Sequence, residues 1–142
     1  MNKVILMGRL AQDPEVRYSQ NSAEPLAIAR YSLAVRRRFK REGEADTDFI
    51  PCVSFGRAGE FTEKYLKKGM MVTISGRMQV RSWEDQQGQK RWTTEVVIEE
   101  QDFAESKSAY ESRNATKQHS DGYNQDGFSA ISESIDDDDL PF

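Results

Sequence analysis

The chain has 142 residues, 37% apolar and 31% charged, which allows one ordinary domain and an appendage. Its net charge of −4 is unevenly held, with +2 on residues 1–104 and −6 on residues 105–142, so a whole-chain pI near 5.1 does not argue against a polyanionic partner. The single Cys52 excludes an intramolecular disulfide, and no apolar run approaches the ~18 residues that would suggest a membrane span. Asn2–Leu10 is apolar on both faces from Val4 to Met7 and reads as a buried strand. Asp13-Pro14 marks a turn, and Val16-Arg17-Tyr18 can form a short strand. Leu26–Arg38 is a long strand whose apolar parity slips between Leu26/Ile28 and Tyr31/Leu33/Val35, which predicts a bulge near Ala29-Arg30. Lys40–Thr47 is a charged hairpin loop, and Phe49–Phe55 is the next strand. Arg57–Lys68 has Ala58, Phe61, Tyr65 and Leu66 at helical spacing, with Gly69 placed to end the helix. Met70–Trp83 alternates, with Val72, Ile74, Met78 and Val80 on one face and Thr73, Ser75, Arg77, Arg81 and Trp83 on the other. Asp85–Lys90 is a hairpin turn around Gly88, and Arg91–Phe103 is the last strand.

The order β-β-β-α-β-β, with long strands that can bend, predicts an all-β fold. It is a five-stranded Greek-key OB barrel with one helix between strands 3 and 4. The barrel is expected over residues 1–104. From Glu105 the chain loses large aliphatics, so residues 105–135 are expected to be a disordered linker. Residues 136–142 form an acidic tip.

Aromatic and basic side chains interleave along these strands. Phe49 and Phe55 share one strand face, while Ile50 and Cys52 take the other, and both sets cannot be core. Trp83 falls on the Thr/Ser/Arg face of its strand, where a ring among arginines can stack on any nucleobase. The competing reading buries Phe49 and Phe55 and leaves Trp83 alone at the surface. Trp92 is in step with Thr94, Val96 and Ile98 and reads as core or hairpin packing. Arg36, Arg37, Arg38, Lys40 and Arg41 flank Phe39, and Arg77, Arg81 and Trp83 share a face. Cations beside rings can follow a phosphate backbone while the rings take the bases.

Catalytic patterns are weak. There is no Gly-rich phosphate loop, and His119, the only histidine, lies in the polar tail, so neither a triad nor a zinc site is expected. No cofactor, metal or catalytic residue is expected. Charges at Lys3, Arg9, Asp13 and Glu15 argue against a signal peptide, so a cytoplasmic, nucleoid-associated protein with no membrane partner is expected. The end of the chain, Asp136-Asp137-Asp138-Asp139-Leu140-Pro141-Phe142, joins four carboxylates to two apolar side chains and a stiff proline. The carboxylates alone would be a solvated tail. With the apolar tip attached, a peptide presented to a partner is the better reading.

Asn2–Leu10, Asp13-Pro14-Glu15-Val16-Arg17-Tyr18, Phe49–Gly56, Tyr65–Gly69, Trp83 with Gln87-Gly88-Gln89, and Thr94-Glu95-Val96 together resemble the bacterial single-stranded DNA-binding proteins. Asp136–Phe142 resembles the acidic tip of that family. The resemblance implies an OB fold that assembles as a homotetramer, binds single-stranded DNA with little sequence preference, and has no catalysis. It implies stacking by Phe39, Phe49, Phe55 and Trp83, with phosphate contacts from Lys3, Arg57, Lys68, Arg81 and Arg91; Arg77 joins them from its shared face with Arg81. Two stacking positions often occupied by Trp are Phe39 and Phe49 here, and the smaller rings lower the affinity expected per base. It also implies docking of replication, repair and recombination proteins on the tip. The alternative is an OB-fold adaptor that binds RNA or protein.

Overall fold

The computed structural model describes residues 1–20 and 23–119. The chain divides into two units, Met1–Ala104 and the part from Glu105 onward. In the first unit the elements are β1 (Val4–Leu10), β2 (Glu15–Ser19), β3 (Leu26–Arg36), β4 (Thr47–Phe55), α1 (Arg57–Tyr65), β5 (Met71–Glu84) and β6 (Lys90–Phe103). The strands run β1-β5-β6-β4-β3-β2, and β1 also pairs with β3 through Arg9–Ala34 and Leu10–Leu33. That second pairing closes a barrel of five strands, with β2 added outside as a short antiparallel partner of β3. The β4–β6 pair is parallel and the other ladders are antiparallel. This is the all-β, OB-type arrangement expected, with α1 between β4 and β5 once β2 is counted.

The core follows strand alternation. Leu10, Tyr31, Leu33, Cys52, Leu66, Val72, Ile74, Val96 and Ile98 are buried together. Burial pushes the Cys52 thiol up to about 12, with Glu95 adding to the shift, and raises the Tyr31 phenol as well. α1 is fastened over one end of the barrel by polar contacts. Ser54 and Thr62 hydroxyls lie 3.0 Å apart, and the Gln101 amide donates to the Ala58 carbonyl at 2.8 Å.

Three expectations are corrected. The predicted bulge near Ala29-Arg30 is absent: β3 keeps unbroken register from Ile28–Phe55 to Arg36–Thr47. Ala27 and Ala29 hold the core parity there, and Leu26 and Ile28 face outward. The helix is the cause. A Cβ on Gly59 would sit 2.9 Å from the Ala27 carbonyl oxygen, so α1 lies too close for larger side chains beneath it. The irregularity falls instead between Ser75 and Gly76, whose partners are Glu100 and Ile98. A Cβ on Gly76 would lie 2.0 Å from the Val97 carbonyl oxygen, so this crossing needs glycine.

The helix is also shorter than Arg57–Lys68. Leu66 turns extended (φ −97, ψ 135) and carries its side chain into the core, while its N–H donates to the Thr62 carbonyl. Gly69 serves the turn after it, and its N–H reaches the Leu10 carbonyl at 2.8 Å.

In the second unit, Lys107–His119 forms helix α2, where the sequence predicts a disordered linker. Local terms account for it. The Ser106 hydroxyl accepts the Ala109 N–H at 3.2 Å, as an N-cap does. Arg113 holds Glu105 at 2.8 Å, and Lys107 and Glu111 pair at helical spacing. Low apolar content misses such terms. Residues 120–135 and the tip Asp136–Phe142 lie outside the described residues.

Candidate nucleic-acid interface

Alternation that sends the core residues inward sends the opposite parity of β3, β4, β6 and β5 to one outer face. On β4 that parity is Phe49, Pro51, Val53 and Phe55. On β5 it is Arg77, Gln79, Arg81 and Trp83, and on β6 it is Arg91, Thr93, Glu95 and Val97. The β5–β6 register sets Trp83 opposite Arg91, Arg81 opposite Thr93, and Gln79 opposite Glu95. Phe49 is 65% exposed, Trp83 45% and Phe55 38%. The reading that buries the two phenylalanines is therefore overturned: they sit on the same outer face as Trp83. The indole N–H of Trp83 donates to the Thr93 hydroxyl at 2.9 Å, which fixes the ring's edge.

The cations divide. Arg77, Arg81 and Arg91 lie on this face with the rings. Lys3 precedes Val4, which pairs with Gly76, and Asn2 exchanges hydrogen bonds with the Met78 backbone, so Lys3 stands beside Arg77. Arg57 begins α1, two residues beyond Phe55. Lys68 is placed elsewhere: its N–H donates to Asp13 at 2.9 Å in the turn that leads into β5, at the opposite end of that strand from Trp83. Phe39 is exposed in the loop between β3 and β4, with the Arg38 guanidinium 5.6 Å from its ring centre. Arg37 braces that loop against Asp48 at 2.8 Å and holds the Asp48 carboxyl below its ordinary range.

Some features of the face escape a linear reading. Arg81 is paired with Glu95, and Arg91 with Asp85. Arg30 of β3 also reaches Glu95, at 2.7 Å. The polar parity of Arg30 in an apolar strand is a signal that could have marked it; its partner is not visible from sequence. Trp92 is a further correction. It is 65% exposed, so the core half of that expectation fails, and its ring instead lies on the hairpin with Lys90 5.7 Å from its centre. Met78 and Val80 share its fate. Past the Met78–Val96 pair, where β6 last pairs with β4, β5 and β6 run on as a two-stranded ribbon, so the parity that is core below becomes surface above.

Among the described residues, no group of three His, Cys, Asp or Glu could hold a metal ion, and no helix is long and apolar enough to cross a membrane.

Residues 1–104, the whole barrel, match the single-strand binding protein family. The chain belongs to this family. It is 41% identical, over the full length of both chains, to a protein named single-stranded DNA-binding protein 3 from Clostridium acetobutylicum. It is 43% identical to single-stranded DNA-binding protein A from Bacillus subtilis, over 88% of this chain and 68% of that one. A protein named single-stranded DNA-binding protein 3 from Streptococcus agalactiae is 40% identical over 100% of this chain and 99% of its own.

Proposed function

We propose that this protein binds single-stranded DNA with little sequence preference and performs no catalysis. The observation that carries this reading is the shared outer face of Phe49, Trp83, Arg77 and Arg81 in a chain of this family. Rings accept any base, at ~1–3 kcal/mol per stacked base, and the guanidiniums follow the phosphates. Duplex DNA keeps its bases stacked on each other and offers those rings nothing.

The protein acts as a homo-oligomer, expected to be a homotetramer. Ile5 and Met7 on the outer face of β1, and Met78, Val80 and Trp92 on the ribbon, are large apolar side chains left exposed in one chain, which supports burial between copies. Its place is the cytoplasm and nucleoid, where it shields single strands during replication, recombination and repair. Asp136–Asp139 steer an approaching enzyme, and Leu140-Pro141-Phe142 insert into an apolar pocket on it. Titrating the full chain with poly(dT) and with duplex DNA at rising salt tests the reading. Tight, salt-sensitive binding to poly(dT) alone is expected; equal affinity for duplex or structured RNA would replace it with the adaptor reading.

A further inference from the structure

We infer that Arg30, Glu95 and Arg81 form one phosphate-gripping unit, in which Glu95 is the positioning residue for both guanidiniums; this rests on the single-stranded DNA reading above. Glu95 has the outward parity of β6, yet its side chain is only 3% exposed. A buried carboxylate is costly unless its oxygens are paired. Here Oε2 accepts from Nη1 of Arg30 at 2.7 Å, and Oε1 accepts from Nε of Arg81 at 3.0 Å. The Gln79 amide stands 3.4 Å from the same Oε1. Arg30 starts on β3 and must span β4 to make this contact. It crosses the position of Val53, which faces outward and is nonetheless fully buried. Two guanidiniums therefore converge on one carboxylate from opposite sides, β3 and β5.

The exposed part of this cluster is cationic. The Arg30 and Arg81 side chains are 42% and 44% exposed, while the carboxylate between them is covered. Glu95 engages one Nη of Arg30 and the Nε of Arg81, and each fork has further donors for the two non-bridging oxygens of a phosphodiester. The unit keeps a net charge of +1 and lies two residues along β5 from Trp83. On its far side, a groove of about 190 Å³ lined by Glu15, Arg17, Ile28 and Arg30 itself extends the surface over β2. Holding each long side chain in one rotamer before the ligand arrives lowers the ordering cost of binding. The opposing possibility is that Glu95 merely neutralises two cations that DNA would otherwise use.

The two differ in sign. Glu95→Gln raises the charge of the face by one. If Glu95 only neutralises, this variant binds oligo(dT) more tightly; if it positions, binding weakens about tenfold despite the added charge. Glu95→Asp should recover part of the loss. Arg30→Ala should lower the slope of log K against log salt by about 0.7, the effect of one lost phosphate contact. Full-length variants would be measured by fluorescence titration, with melting temperatures alongside. Unchanged or tighter binding by Glu95→Gln overturns the inference, as does an unchanged salt slope for Arg30→Ala. Should Glu95→Gln not fold, Arg30→Ala decides alone, since Glu95 there keeps Arg81. Failure of the unmodified protein to bind oligo(dT) would instead remove the reading beneath.

Discussion

Trp83 is held by its edge, because the Thr93 hydroxyl takes the indole N–H, while the residue stays half-exposed. A ring so fixed loses little freedom when a base stacks on it. Trp83→Ala should weaken oligo(dT) binding by ~1–3 kcal/mol and remove most of the tryptophan quenching on titration. Trp92, on the opposite face of the ribbon, remains as an internal control; quenching unchanged by the substitution would exclude Trp83 from the stacking surface. At this scale the sequence was readable where parity alone decides. Trp83 and Cys52 fall on the faces their neighbours imply. Trp92 was not readable, since its parity is that of the core and only its distance along the ribbon brings it to solvent.

The β5–β6 ribbon rests on two devices, one at its tip and one at its base. At its tip, Asp85 accepts the Gln87 and Gln89 N–H groups, each at 2.9 Å, and Gly88 takes a positive φ of 78. These backbone bonds, that of Gln89 foremost, and the Arg91 guanidinium hold the Asp85 carboxyl below its ordinary value of 3.8. The folded turn therefore binds a proton less readily than the unfolded chain. Its contribution is complete above the ordinary carboxylate range and is lost as pH falls through the depressed value. Hydrogen exchange at the Gln87 and Gln89 amides should accelerate towards acid relative to barrel amides, and Asp85→Asn should remove that extra pH dependence. At its base, Gly76 crosses the Val97 carbonyl too closely for any side chain. Gly76→Ala should cost about 3 kcal/mol in chemical denaturation, because backbone rather than a flexible side-chain end must move. A loss below about 0.5 kcal/mol would show that the crossing relaxes freely. Turn chemistry at Asp85–Lys90 was legible in the sequence, whereas the crossing at Gly76 depends on a partner in β6.

For the molecule as a whole, charge is divided between a barrel of +2 and a remainder of −6. The acidic end should compete weakly with DNA for the barrel's cations. Deleting residues 136–142 should leave oligo(dT) affinity equal or higher, most visibly at low salt, and abolish capture of partner enzymes. A collapse of DNA binding on this deletion would refute the division of labour. The same scale explains what could be read in advance. Strand order, the helix between the main strands and the outward aromatic parity were legible, since period-2 alternation and turn residues act within a few positions of themselves. Bulge placement, the end of α1 and the emergence of the ribbon were not, since α1 pressing on Ala27, Leu66 turning inward and Gly76 crossing Val97 are contacts between distant segments. Arg30 and Glu95 make the point most sharply: 65 residues separate them, each reads alone as a solvated charge, and only the path of β3 past β4 to β6 joins them under the surface that carries the rings.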